Sequence, residues 1–215
     1  INKIISLLEA NKHGSACLEI GGGDGPLTPL LELLFLNVIS LDFSPTFLKR
    51  IQSKTKSTIC VHGDAHFLPI EDHSIDVVIC SEVLEHVSIP SQLLFEIRRV
   101  MKPDGICLLS VPNDATYGFF DFLKKNNYIA SDSHINFYNL PALKKLLYRT
   151  GFKLQKFQKI SPPVTLSNFF QIPISLFLYG KYYTHFLCLL RIMENPDEYW
   201  KKLEKIIETN NKISQ

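Results

Sequence analysis

Residues 18–27 read Leu-Glu-Ile-Gly-Gly-Gly-Asp-Gly-Pro-Leu, a short apolar run carrying one acid and followed by four glycines in five positions. Glycine has no Cβ and tolerates positive φ, so a chain that leaves a strand through such a cluster lets a ligand approach its backbone closely. Open α/β sheets build nucleotide sites in this way, at the carboxyl ends of parallel strands. Pro26 and Pro29 lie just beyond the glycines, where proline suits the first turn of a helix.

The same alternation continues along the chain. Strands are expected at 16–20, 37–41, 58–62, 75–80 and 106–111, all short and rich in Val, Ile, Leu and Cys. Their lack of polar alternation is the mark of strands covered on both faces. Helices are expected at 29–35, 45–53 and 91–101, the last placing Leu93, Leu94, Ile97, Val100 and Met101 on one face. Pro103-Asp104-Gly105 reads as its stop. Five such units imply a doubly wound parallel sheet. A later block carries Leu140, Leu143, Leu146 and Leu147 at helical spacing, with Pro141 in the first turn and Gly151 as the stop. A strand is expected at 152–160.

Composition narrows the class. The 215 residues are 46% hydrophobic and 20% charged with a net charge of +2, which fits one globular α/β domain with an appendage. That charge is too small to indicate nucleic acid, and the lysine clusters at 49–56 and 201–205 read as solvated helix faces. Five cysteines form no CxxC pair; Cys17, Cys60, Cys80 and Cys107 fall in expected strands, as small buried apolar residues in a reducing cytoplasm. No signal peptide is visible, and the chain opens without methionine inside an amphipathic pattern, so the native protein is expected to begin upstream. Residues 160–180 carry no formal charge and are interrupted by Pro162, Pro163, Asn168, Gln171 and Pro173. An apolar cap or an interfacial segment fits better than a membrane span. A charged helix is expected at 196–208. The domain reading is therefore 1–160 for a nucleotide-binding domain and 161–215 for the cap and terminal helix.

The dinucleotide fingerprint G-x-G-x-x-G fails in both registers, since Pro26 or Thr28 falls where its last glycine is required. The pattern present is E-x-G-x-G-x-G: Glu19, Gly21, Gly23 and Gly25. Here the chain resembles the class I S-adenosylmethionine-dependent methyltransferases, type 11 branch, with Gly22 in place of a customary cysteine. Further blocks follow in the family's order: ISLDFSP, HGDAHFLPI, IDVVICSEVLEHV, VMKPDGICLLSVPN and FYNLPALKKLLYRTGF. The resemblance covers residues 4–160. It implies a Rossmann-like, doubly wound, mostly parallel seven-stranded sheet with helices on both faces, its closing strands at 152–160 and in the tail. It implies S-adenosyl-L-methionine as methyl donor, held by Glu19, Gly21, Gly23, Gly25, Asp42, Phe43, Asp64, Ala65 and Ser81. In that scheme Asp42 accepts from the ribose hydroxyls, Phe43 lies against the adenine and Asp64 accepts from its amino group.

The GGGDG loop also resembles the aminopropyltransferases, which use decarboxylated S-adenosylmethionine, but their aspartate-rich loop is missing after the fourth strand. Intact Glu19, Gly21, Gly23, Asp42 and Asp64 argue against a non-catalytic binding protein. The E-x-x-E-H run places Glu82, Glu85 and His86 within one turn if it is helical. Some relatives hold a divalent metal with such a cluster, for which His134 would be the further ligand; shaping the cofactor pocket without metal is the favoured reading. His86 and His134 are the candidate bases, since imidazole is the side chain suited to general base work at physiological pH. His13, His62, His66, His73 and His185 have no comparable placement. The expected function is methyl transfer to an oxygen or nitrogen of a small-molecule or lipid-linked acceptor, in the cytoplasm, with peripheral membrane contact through 160–190 and no nucleic-acid partner. Oligomeric state is open.

Overall fold

The computed structural model describes residues 1–11, 14–113, 134–160 and 185–194. In chain order they form α1 (Asn2–Asn11), β1 (Ala16–Ile20), α2 (Thr28–Leu34), β2 (Asn37–Asp42), α3 (Pro45–Gln52) and β3 (Ile59–His62). Then come β4 (Ile75–Ser81), α4 (Pro90–Val100), β5 (Met101–Pro112), α5 (Leu140–Arg149), β6 (Phe152–Ile160) and β7 (His185–Ile192). The seven strands form one sheet in the order β3-β2-β1-β4-β5-β7-β6. β3 through β5 run parallel, and β7 is antiparallel to both neighbours. Strand order reverses between β1 and β4, the place where such sheets open a ligand crevice.

Both faces are covered, which is why the strand sequences do not alternate in polarity. Leu18, Ile20, Val78, Cys80, Cys107, Leu109, Phe186 and Cys188 join α4 and α5 in one core through Leu93, Leu94, Ile97, Leu143 and Leu147. Cys17, Val77, Ile79, Ile106, Leu108, Leu187 and Leu189 join α1 and α2 in the other through Leu7, Leu8 and Leu31. The helix ends follow local chemistry. Ser44 and Asn139 cap α3 and α5 by accepting from the backbone N–H groups of Phe47 and Ala142. Gly151, at φ +84°, ends α5 in the left-handed conformation that favours glycine.

Three expectations change. Cys60 is only half-buried, because β3 is the sheet edge and has a neighbour on one side only. α4 ends at Val100, before Pro103-Asp104-Gly105, because Met101 turns extended and pairs with Ile75. The next pair is Val77 with Ile106, so the Pro-Asp-Gly residues lie in an irregularity of β5. The boundary at residue 160 cuts through the sheet, since β7 from the tail is inserted between β5 and β6. The apolar stretch 161–184, the segment 114–133 and the charged stretch 196–208 lie outside the described residues. Ile160 and Pro112 both pair with His185, so the chain leaves and re-enters the described fold there at the carboxyl edge of the sheet.

Candidate active site

A cavity of about 640 Å³ opens at the carboxyl ends of β1, β2, β3 and β4, with Gly21, Gly23, Asp42, Asp64, Glu82 and His86 on its wall. Gly21 and Gly23 have φ of +70° and +55°. A Cβ built on Gly23 meets nothing within 4 Å, so the backbone here faces open space. A Cβ on Gly22 would press on Ile51, the Ser40 hydroxyl and the Glu19 carboxylate. The family's cysteine therefore does not fit this loop without a shift, and glycine at 22 suits the larger residues packed behind it.

Glu19 lies under the loop, not on the wall. It is 4% exposed, and its Oε2 accepts from Thr28 Oγ1 at 2.6 Å and Ser40 Oγ at 3.0 Å. Burial raises its pKa against the opposing pull of those two bonds. The side chain thus ties β1 to β2 and to the start of α2. Asp42 does face the cavity. Its Oδ2 accepts from Gly23 N at 3.1 Å and its Oδ1 from Ser44 N at 2.8 Å, so it fixes the glycine loop while keeping acceptor capacity. Phe43 projects from the wall and is 76% exposed. Asp64 and Ala65 are on the wall after β3. The hydrogen bond from the His66 N–H holds the Asp64 carboxyl below its usual value. Gly25 packs over Ile51, and Ser81 meets the Ser110 hydroxyl at 2.8 Å; neither lines the cavity.

The run after β4 is a turn, not a helix, with His86 N donating to Val83 O at 2.9 Å. Glu82 sits at φ +57°, in the left-handed region. Glu82 Oε1 accepts from Ser110 Oγ at 2.5 Å, and Oε2 lies 3.1 Å from His185 Nε2. His185 therefore belongs to the site edge, contrary to its sequence placement, and so does His66 on the cavity wall. Glu85, His86 and His134 converge, with ligand atoms all within 4.8 Å of one another. The His86 and His134 rings meet edge-on at 4.7 Å. Glu85 is 1% exposed, and neither carboxyl oxygen makes a hydrogen bond. Burial, helped by Glu82, pushes its pKa up to about 8.

A Rossmann-like sheet with a glycine loop at its switch point and acids ending β2 and following β3 defines a nucleotide-binding α/β class. The Methyltransferase domain family model matches residues 18–109, from β1 into β5. A probable S-adenosylmethionine-dependent methyltransferase of Mycolicibacterium smegmatis is 30% identical over 66% of this chain and 53% of its own length. The chain thus spans about half of that relative. An uncharacterized protein of Methanocaldococcus jannaschii is 30% identical over 74% of this chain and 68% of its own. The solved S-adenosylmethionine dependent methyltransferase of Mesorhizobium loti shares the fold, with TM-score 0.66 at 16% identity over 86% of this chain and 96% of that one. Residues 18–109 form a methyltransferase domain of the class I S-adenosylmethionine-dependent kind, type 11 branch. S-adenosylmethionine is the methyl donor of that family. Among the described residues, no helix is long and apolar enough to cross a membrane.

Proposed function

We propose that the protein moves a methyl group from S-adenosylmethionine to an oxygen or nitrogen of a small-molecule or lipid-linked acceptor. The observation that carries this reading is one cavity wall that joins the Gly21–Gly23 backbone, Asp42 and Asp64 from three successive strand ends. The open face of Gly23 suits the methionine end of the donor, and the carboxylates of Asp42 and Asp64 suit its ribose hydroxyls and adenine amino group. The donor supplies an already activated sulfonium methyl. The chain's contribution is then alignment of the acceptor, together with proton removal where the acceptor carries a proton. His86, on the wall, is the group placed for that proton. Ile89 and Ile135 are 55% and 56% exposed at this end of the fold, which favours an acceptor with an apolar body. The uncharged residues 160–180 favour a lipid-linked one presented at a membrane surface.

A second reading concerns Glu85, His86 and His134. A buried carboxyl with no hydrogen bond calls for a partner, and a carboxylate with two imidazoles is a donor set for a divalent transition ion. Such an ion would polarise an acceptor hydroxyl.

Calorimetric titration of the full chain with S-adenosylmethionine, its demethylated product, decarboxylated S-adenosylmethionine and NAD tests the donor. We expect the first two to bind and NAD to be silent. Tighter binding of the decarboxylated compound would favour aminopropyl transfer, and silence from the first two overturns the proposal.

A further inference from the structure

Asp64 and His66 form a unit that reaches across the cavity wall. Asp64 Oδ1 accepts from the His66 backbone N at 2.9 Å, and His66 Nδ1 lies 2.6 Å from the same oxygen. The other ring nitrogen, Nε2, is 3.2 Å from the backbone N of Ile89 and 3.3 Å from Ser88 Oγ. A backbone N–H can only donate, so Nε2 must be the bare, accepting nitrogen. The ring proton then sits on Nδ1 and points at Asp64 Oδ1. The His66 carbonyl is held as well, by Gln92 Nε2 at 3.3 Å. Two donors therefore occupy Oδ1 and leave Oδ2 as the less committed oxygen of a carboxylate on the cavity wall.

We propose that His66 is a positioning residue for the cofactor. In its neutral, Nδ1-protonated form it fixes which oxygen of Asp64 is offered to the adenine amino group. It does so while braced on Ser88 and Ile89, the residues that follow Glu85, His86 and Val87 in the chain. The adenine subsite is in this way tied to the turn that carries the acceptor-side carboxyl and imidazole. A carboxylate so fixed accepts from a 6-amino group and repels a 6-oxo group. The consequence is selectivity for adenosyl over inosyl ligands that depends on a histidine, not on Asp64 alone. This inference rests on the reading of Asp64 as the adenine acceptor.

The test compares S-adenosylhomocysteine with S-inosylhomocysteine by calorimetry on the full chain. Wild type should prefer the adenosyl ligand by at least about thirtyfold, since a site built for one hydrogen bond strongly rejects a ligand that leaves it unmade. His66→Ala should lower that ratio at least about fivefold, and His66→Asn, with an amide N–H near the position of Nδ1–H, should recover most of it. An unchanged ratio in His66→Ala, with Asp64→Asn abolishing it, overturns the role of His66 and leaves Asp64 standing. No preference in wild type overturns both. Nitrogen-15 NMR of the wild-type ring gives a reading that does not depend on the variants folding. Nδ1 protonated with Nε2 bare supports the assignment, and the opposite tautomer sinks it.

Discussion

The two edges of the sheet treat their charges in opposite ways. At the amino edge Asp76 accepts from Ser15 N, Ala16 N and Lys102 Nζ at 3.0, 2.9 and 2.6 Å. Nearby, Arg99 closes α4 by donating to Glu96, Asp72 and the carbonyls of Leu68 and Ile70. At the carboxyl edge Glu85 is buried with neither oxygen hydrogen-bonded, and Glu82 holds a left-handed backbone to reach His185. At the amino edge the acid's partners stitch connections together, while the carboxyl edge keeps a buried carboxyl without a hydrogen bond where a ligand is to be met. The comparison predicts that substitutions at the amino edge change stability and leave cofactor binding alone, while only those at the carboxyl edge reach the ligand.

The largest effect belongs to Asp42→Ala. The alanine removes the acceptor proposed for two ribose hydroxyls and frees the Gly23 N–H that Asp42 now holds. Two hydrogen bonds to a charged group amount to about 4 kcal/mol, a loss of roughly a thousandfold in affinity. Calorimetry with S-adenosylhomocysteine reads it, and a melting curve alongside separates the lost ligand contacts from the lost bonds to Gly23 N and Ser44 N. An affinity within about threefold of wild type would break the assignment of the ribose site to this edge.

Why some of this was legible in the sequence and some was not follows from how each residue is placed. β1 spans 16–20 as expected, because a strand covered on both faces must be apolar throughout its length. Asp42 and Asp64 were legible because a parallel strand fixes which of its ends points to the crevice. His185 was not. Its meeting with Glu82 depends on β7 entering antiparallel between β5 and β6, and periodicity says nothing about the order of neighbours in a sheet. The E-x-x-E-H spacing suggested one helical turn, and the run is a turn instead, with Glu82 at positive φ. His66 left a faint signal: an aspartate followed two residues later by histidine can close a local Asx turn, as it does here.

The next effect is the pH dependence of Glu85→Gln in chelator-treated protein. In the unfolded chain Glu85 ionises near its ordinary 4.5, and in the fold near 8. Between these values the folded state keeps a proton that the unfolded state loses, so wild-type stability falls as pH rises through this window. Glutamine cannot ionise and avoids that loss. The variant should match wild type in pH dependence below about pH 4 and gain about 3 kcal/mol relative to it by pH 7. Urea melts at both pH values check this, and parallel pH profiles would mean that Glu85 has a partner in solution. Manganese added at pH 7 sharpens the second reading, since it should stabilise wild type and leave the glutamine variant unmoved.

Asp76→Ala is the smallest of these effects and the one that tests whether the edges are separate. Burial alone would raise the Asp76 pKa, but Lys102 and the N–H groups of Ala16 and Ser15 outweigh it and hold the carboxyl below 3.8. A depressed acid stabilises the fold above its unfolded pKa, and that contribution disappears as pH falls through the folded value. The alanine variant leaves two backbone N–H groups and an ammonium without their acceptor, which should cost about 2 kcal/mol at neutral pH. It should also flatten the acid limb of the stability curve below pH 3.8, where wild type loses this contribution. Affinity for S-adenosylhomocysteine should stay within about twofold, because Asp76 ties the entry to β1 and the cofactor wall lies at its exit. Should Asp76→Ala weaken binding as Asp42→Ala does, the amino edge would be part of the site's support, and the division between a stitched edge and a working edge would fail.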